Sequence, residues 1–355
     1  MSTVHFSPVF YSLEQIGWRA HFAQQVSLAE LADSYPARVA AIHRSGPIVM
    51  SERGIDDVVL GSLGAEVSLA VGDWVLVEND ARRVLRVLER QSLVSRLSAG
   101  SVQRVQEIAA NLDTLFIVTS CDDDFSLSRL ERYLSAAYES KVTPAVVLTK
   151  IDLCADPASF EQEVAAIAPL AACLLVNATQ PDGVTALAPW VGKGQTVAFV
   201  GSSGVGKSTL VNSLLGSDAQ ATGATRTSDG TGKHTTTARQ LLAMSSGAWL
   251  IDTPGMREFR IGAAEEGVRT TFADIEALAE QCRFRDCHHA ADAGCAVASS
   301  ILDGSLDERR LENYRKLQRE AQRASRTVRE RREQDRHFGR LYKNIQEKQR
   351  KLKGN

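Results

Sequence analysis

Between Ala37 and Leu88 the hydrophobic residues come in short alternating runs; from Leu112 to Ile251 they come as compact apolar strings separated by amphipathic stretches. The first texture predicts strands at Ala37–Ile42, Pro47–Ser51, Glu66–Ala70, Asp73–Glu78 and Val84–Leu88, punctuated by turn signals at Ser45-Gly46, Gly61, Gly64 and Val71-Gly72-Asp73. Five short strands in about 60 residues fit a small β-barrel of OB-like size. The second texture predicts strands at Thr114–Thr119, Pro144–Leu148, Cys173–Val176, Thr196–Val200, Leu241–Met244 and Trp249–Ile251, with helices over Leu127–Ser140 and Pro157–Ile167. That βαβα rhythm calls for a mostly parallel sheet with helices on both faces. One or two helices are expected within Met1–Ser34, such as Ser12–Gln25. After about Ala264 the pattern is helical, broken by a Cys/His cluster, and it ends in a long polar helix from Leu306. The resulting division is an N-terminal extension (1–34), an OB-like β-barrel (35–97), an α/β nucleotide domain (98–264) and an α-helical segment with the Cys/His cluster and a basic end (265–355).

The chemistry is concentrated where strands of the second region end. Gly201-Ser202-Ser203-Gly204-Val205-Gly206-Lys207-Ser208 follows the strand Gln195–Val200 and opens a helix at Thr209–Leu215, the context a P-loop requires. Its glycines allow a loop tight enough for several backbone N–H groups to face one phosphate chain, and the helix N-terminus adds its positive end. Lys207 reaches the β- and γ-phosphates in this reading, the Ser208 hydroxyl ligates Mg2+, and Thr209 completes the loop's contacts. The base is read by Thr149-Lys150-Ile151-Asp152, directly after the Val146–Leu148 strand, which resembles the [NT]-K-x-D element of GTPases. The Asp152 carboxylate accepts from guanine N1–H and N2–H2, a donor pair that adenine lacks, and the Lys150 stem packs over the base. Asn177-Ala178, after Cys173–Val176, resembles the [ST]-A element with Asn in the first place. Asp252-Thr253-Pro254-Gly255 resembles D-x-x-G: Asp252 holds Mg2+ through water and the Gly255 N–H senses the γ-phosphate. Between the P-loop and this element, Gly232-Lys233-His234-Thr235-Thr236-Thr237 lies in a Gly/Thr/Ser-rich stretch suited to a switch loop, with Thr236 favoured over Thr235 as the Mg2+ ligand.

The order is unusual, because the base-reading elements precede the P-loop. A sheet whose ends lie close together can be cut and rejoined with its site intact. With this permuted order, the barrel, the His-Thr-Thr-Thr run and the Cys/His cluster, the chain resembles the circularly permuted, small-ribosomal-subunit-dependent GTPases (the RsgA or YjeQ family) over residues 37–300. The resemblance implies GTP hydrolysis to GDP and phosphate, stimulated by the small ribosomal subunit, in the late maturation of that subunit and in contact with its rRNA. It also bears on the water-orienting group. Met256 follows the D-x-x-G element where small GTPases place Gln, and an apolar side chain cannot orient water. His234, beside the Thr run, is the polar candidate. The rival reading is a nucleotide-gated RNA-binding module in which hydrolysis is incidental.

Composition adds two points. Cys121, Cys154 and Cys173 are scattered among apolar segments and read as buried thiols, whereas Cys282, Cys287 and Cys295 cluster beside His288 and His289. Three thiolates and one imidazole make a closed, soft, tetrahedral set suited to one structural Zn2+, and the family's C-x-H spacing selects His289 as the fourth ligand. The formal net charge of −2 hides a basic end: from Arg309 to Lys353 there are 17 Lys or Arg against 6 Asp or Glu. With Arg283 and Arg285 this predicts contact with RNA phosphates. No apolar run approaches the roughly 20 residues that span a bilayer, and Met1–Ser12 has no secretory pattern. A cytoplasmic monomer with no membrane partner is expected.

Overall fold

The computed structural model describes residues 10–43, 45–61, 68–97, 105–180, 182–215, 240–252, 264–289 and 293–325. By its contacts the chain divides into two compact units, Met1–Arg260 and Ile261–Asn355.

In the first unit β1 (Ser34–His43), β2 (Gly46–Ser51) and β3 (Gly54–Asp57) form an antiparallel meander. β4 (Trp74–Glu78) pairs with the first half of β1, and β5 (Val84–Val87) pairs with β4. A bridge between Val59 and Arg83 closes the circuit, with the Val59 N–H donating to Arg82 O at 3.0 Å and the Val84 N–H to Val59 O at 2.9 Å. The expected OB-like barrel is therefore present. Tyr35, Ala37 and Val39 from β1 and Val75 and Val77 from β4 point inward at every second position, with Val49, Val58 and Val84, as a strand with one buried face requires.

After the hairpin of β6 (Leu93–Leu97) and β7 (Val105–Ala110) comes the second set: β8 (Thr114–Ser120), β9 (Thr143–Thr149), β10 (Ala172–Leu175), β11 (Thr196–Val200), β12 (Gln240–Ala243) and β13 (Trp249–Asp252). The order β10-β9-β8-β11-β13 is parallel throughout. β12 is antiparallel to β13 and also pairs with β1 at Ala41↔Gln240, so the parallel sheet runs on into the barrel. Its core includes Phe116, Val118, Val147, Val197, Leu210 and Leu250.

Two sequence expectations are corrected and one element is added. The third barrel strand is Gly54–Asp57, not Glu66–Ala70: Gly54, at φ +112°, turns the chain back on β2, while the Ala70 N–H is tied to Asp73 Oδ2 at 2.7 Å in a turn; residues 62–67 lie outside the described set. The Ser12–Gln25 helix is not continuous. Gly17 adopts φ +91°, where a Cβ would stand 2.9 Å from both Arg38 Nη1 and Gly194 O, and only Ala20–Ala23 is helical, followed by Leu28–Asp33 behind a Ser27/Glu30 capping box. The hairpin β6–β7 has no counterpart among the expected elements.

The second unit contains helices Glu265–Thr271, Ala273–Ala279 and Ala296–Leu302 and a longer helix over 308–325. Phe272, Ile275, Val297 and Leu317 are buried in it. Arg310 makes a two-pronged contact with Asp274, at 2.8 Å from both Nε and Nη2.

Arg38 ties three stretches of the first unit together. It is fully buried on β1 and donates to Ile16 O at 2.7 Å, Gly72 O at 3.3 Å and Asn111 O at 3.3 Å. Burial lowers its pKa to about 10, partly offset by Asp113. Arg38→Ala is expected to cost on the order of 3 kcal/mol, through the cavity and the loss of its bonds to the Ile16 and Asn111 carbonyls, Gly72 O keeping the Asn111 side-chain amide at 3.0 Å. Urea unfolding measures this, and a cost below about 1 kcal/mol would remove Arg38 from that role.

Candidate functional site

The loops that carry the nucleotide motifs leave the C-terminal ends of β9, β10, β11 and β13, the edge at which open α/β sheets bind ligands. Gly201, Gly204 and Gly206 take φ of +144°, +84° and +90°. At Gly201 a Cβ would come within 2.1 Å of Val118 O, so this glycine is demanded by close approach to β8 as well as by conformation. The Lys207 ammonium rests on the loop's own carbonyls, at 2.9 Å from Gly201 O and also on Ser202 O. Ser203, Gly204, Ser208 and Thr209 are exposed where the loop turns into the helix Lys207–Leu215; Val205 is buried beneath them.

The loop that carries Thr149–Asp152 is joined directly to this one. Thr149, the last residue of β9, donates its hydroxyl to Val205 O at 2.7 Å, with Thr119 O at 3.1 Å as a second acceptor. Lys150 follows at φ +55°, a left-handed conformation unusual outside glycine, and Asp152 lies in the single 3-10 turn Ile151–Leu153. Asn177 closes an Asx turn, its Oδ1 accepting from the Thr179 N–H at 3.1 Å and Thr179 hydroxyl at 2.6 Å. Ala178 packs against the core beside this turn. Asp252 ends β13. Thr149, Lys150 and the P-loop are thus drawn together by hydrogen bonds, with Asn177, Ala178 and Asp252 on neighbouring strand ends. His234, Thr235, Thr236, Gly255 and Met256 lie outside the described residues.

Sequence reasoning missed Ser120, Asp122, Asp124 and Arg129. Asp122 Oδ2 accepts from Lys150 Nζ at 2.9 Å, and Arg129 Nη1 donates to the Ser202 hydroxyl. The hydrogen bond from Ser120 and the Lys150 ammonium hold the Asp122 carboxyl below the usual carboxylate range. The one available signal was the run Asp122-Asp123-Asp124 immediately after a strand.

The Cys/His cluster is assembled in the second unit. Cys282 Sγ lies 3.6 Å from His289 Nδ1 and 3.8 Å from Cys295 Sγ, Cys295 Sγ lies 3.6 Å from His289 Nδ1, and the ligand atoms of Cys282, Cys287, His289 and Cys295 are all within 4.8 Å of one another. A tetrahedral zinc with Zn–S of about 2.3 Å and Zn–N of about 2.0 Å has S···S edges of about 3.8 Å and S···N edges of about 3.5 Å. The donor set and its spacing therefore fit that ion. His289 takes φ +60°, which turns its ring back toward the sulfurs. Burial pushes the Cys282 thiol up, but backbone N–H groups of Val297 and Ala296 and the neighbouring thiols outweigh it, and the net shift is downward, toward the metal-binding thiolate. Arg283, Phe284 and Arg285 stand exposed between the first two cysteines, with the Arg283 guanidinium 5.4 Å from the Phe284 ring centroid.

Comparison with known proteins gives a consistent set of relatives. The family profile described as RsgA GTPase matches residues 87–262, and one described as 50S ribosome-binding GTPase matches residues 196–329. A Vibrio vulnificus protein named small ribosomal subunit biogenesis GTPase RsgA 2 is 48% identical over 346 residues, covering 97% of each chain. A Mesorhizobium japonicum protein named small ribosomal subunit biogenesis GTPase RsgA is 45% identical, over 88% of this chain and 90% of its own. Among solved structures, YjeQ from Thermotoga maritima superposes with a TM-score of 0.61 at 25% identity, covering 81% of this chain and 98% of that one. YloQ, described as a circularly permuted GTPase, superposes with a TM-score of 0.58 at 22% identity and supports the fold alone.

Proposed function

The chain belongs to the RsgA GTPase family, and from that premise we propose that it converts GTP to GDP and phosphate as a late maturation factor of the small ribosomal subunit. The observation that carries the reading is the bond from the Thr149 hydroxyl to Val205 O at 2.7 Å. It makes the guanine-reading loop and the phosphate loop one site, although the two occur in reverse of the usual order along the chain.

Asp152 accepts the two guanine donors, Lys150 covers the base, and Asn177-Ala178 lines its far edge. Backbone N–H groups of Gly201–Ser208 cradle the phosphates, aided by Lys207 and the first turn at Thr209. Ser208, Thr236 and Asp252 are the residues that would hold Mg2+, which when bound neutralises charge on the β- and γ-phosphates. Gly255 donates to the γ-phosphate, and His234 orients the attacking water. Cys282, Cys287, His289 and Cys295 take one structural Zn2+ and so fix the loop bearing Arg283, Phe284 and Arg285. That loop and the basic C-terminal segment engage rRNA, chiefly through phosphates. The protein acts in the cytoplasm, as a monomer, on the subunit. Among the described residues no helix is long and apolar enough to cross a membrane.

The test is phosphate release from GTP and from ATP, each with no ribosomal particle, with small subunits and with large subunits. Stimulation confined to GTP and the small subunit is expected. Stimulation by large subunits alone would reverse the partner, and equal use of ATP would end the guanine reading. His234→Ala is expected to lower stimulated hydrolysis about 100-fold with GDP affinity within threefold of the parent, the range for a group that positions or deprotonates water. Loss of nucleotide binding in that variant would refute the role.

A further inference from the structure

Between β8 and the helix Leu127–Glu139 lies Cys121-Asp122-Asp123-Asp124, a turn that belongs to none of the nucleotide motifs. Its carboxylates face two different parts of the site. Asp122 uses both oxygens: Oδ2 accepts from Lys150 Nζ at 2.9 Å, and Oδ1 accepts from the Ser120 hydroxyl at 2.6 Å and the Asp124 N–H at 3.0 Å. Its orientation is therefore fixed before any ligand arrives. Asp124 Oδ2 accepts from Arg129 Nη1 at 2.8 Å, and the same nitrogen donates to the Ser202 hydroxyl of the P-loop. The backbone holds the turn against the base-reading loop, with the Cys121 N–H on Thr149 O at 3.0 Å and the Phe125 N–H on Asp122 O at 2.9 Å.

Both receiving residues need an external hold. Lys150 sits at φ +55°, a conformation that persists only where the surroundings over-determine it. Asp152 is two residues further along the same short turn, so an anchor on the Lys150 ammonium also limits the freedom of the carboxylate that selects guanine. At the other end, Ser202 offers its carbonyl to Lys207 and its hydroxyl to Arg129. When a phosphate chain engages Lys207, Arg129 is the side-chain hold that stays on this part of the loop.

We propose that this turn is a positioning element of the nucleotide site, in which Asp122 fixes the guanine-reading loop through Lys150 and Asp124 aims Arg129 at the phosphate loop through Ser202. The proposal rests on the reading of the site as one for guanine nucleotides. The pairs are partly exposed, with Lys150 and Asp122 at 35% and 37%, so their Coulomb energy is small and their effect is on geometry.

The two arms have different signatures in GDP and ADP binding to the full-length protein, measured by displacement of a fluorescent nucleotide. Asp122→Asn keeps the size of the side chain but loses the charge that holds Lys150. It is expected to weaken GDP about tenfold and leave the weaker ADP binding unchanged, so that the GDP/ADP preference falls about tenfold. Arg129→Gln acts on the shared phosphate chain; GDP and ADP both weaken about fivefold and the preference stays constant. Arg129→Lys recovers most of that loss. Ser120→Ala and Ser202→Ala, which delete single hydroxyls, serve as the second variant for each arm and follow the same signatures at smaller amplitude. A loss of general fold integrity would shift the nucleotide-free melting temperature and would not sort by base. GDP affinity and GDP/ADP preference within twofold of the parent in all the variants would overturn the proposal. Absence of GDP binding by the parent would instead overturn the guanine reading beneath it.

Discussion

Asp152→Asn is expected to lower affinity for GDP by about a thousandfold, equivalent to about 4 kcal/mol, and to raise affinity for xanthosine diphosphate. A carboxylate presents two acceptors to the N1–H and N2–H2 of guanine, whereas an amide presents one acceptor and one donor. The donor then faces N2–H2, and two donors are left unpaired against each other, at a cost far above that of a bond merely lost. Xanthine carries a carbonyl at the same position, which accepts from the amide, so the variant gains where the parent repels. Titration calorimetry with both diphosphates measures the exchange. GDP affinity within tenfold of the parent would show that Asp152 does not face the base. The hydroxyl bond from Thr149 to Val205 O is retained in the variant, so the phosphate loop should hold its form and the loss should be confined to base recognition.

What could be read from sequence followed from how local each signal is. The P-loop, the Thr149–Asp152 element and the strands that carry them are set by residues adjacent in the chain: an apolar run, then glycines or a short polar turn. Their placement at strand ends emerges as expected. The cysteine cluster was also legible, because donor chemistry limits which residues can share one ion, whereas the choice of His289 over His288 came from the family resemblance. The failures are non-local. Arg38 is buried only because Ile16, Gly72 and Asn111 converge on it, and no window around residue 38 contains them. The join between β1 and β12 unites residues about 200 positions apart. Asp122 and Arg129 were passed over because they touch the nucleotide elements only after β8, β9 and β11 are laid side by side. The Glu66–Ala70 run alternates like a strand, but its described end, residues 68–70, is not one, and the Asp73 carboxylate holds the Ala70 N–H in a turn.

Zinc removal is expected to unfold the second unit. Three of its described helices, Glu265–Thr271, Ala273–Ala279 and Ala296–Leu302, have seven residues each, too few to persist alone in water. Cys282 and Cys295 lie on either side of the segment that separates the second and third of these helices. Cys295 is also the N-cap of the third, its Sγ accepting from the Ala298 N–H at 3.3 Å. A Zn2+ bound by four such ligands contributes about 10–16 kcal/mol in small metal-dependent domains, as much as the whole stability of an ordinary domain. The ligands must be deprotonated to bind, so the contribution is present near neutral pH and is lost as the medium is acidified and protons compete for sulfur and imidazole. Cys295→Ser, or treatment of the full chain with a strong chelator, should therefore release about one zinc per chain. It should also reduce helical circular dichroism and open cleavage sites within Ile261–Asn355, while GDP affinity of the first unit stays within threefold. Cleavage that spares this segment in zinc-free protein would mean that the helices and the contacts of Phe272 and Arg310 hold without the metal. In that case the four side chains would be a binding site added to a fold that stands by itself, and the cysteines could be replaced together at little cost in stability.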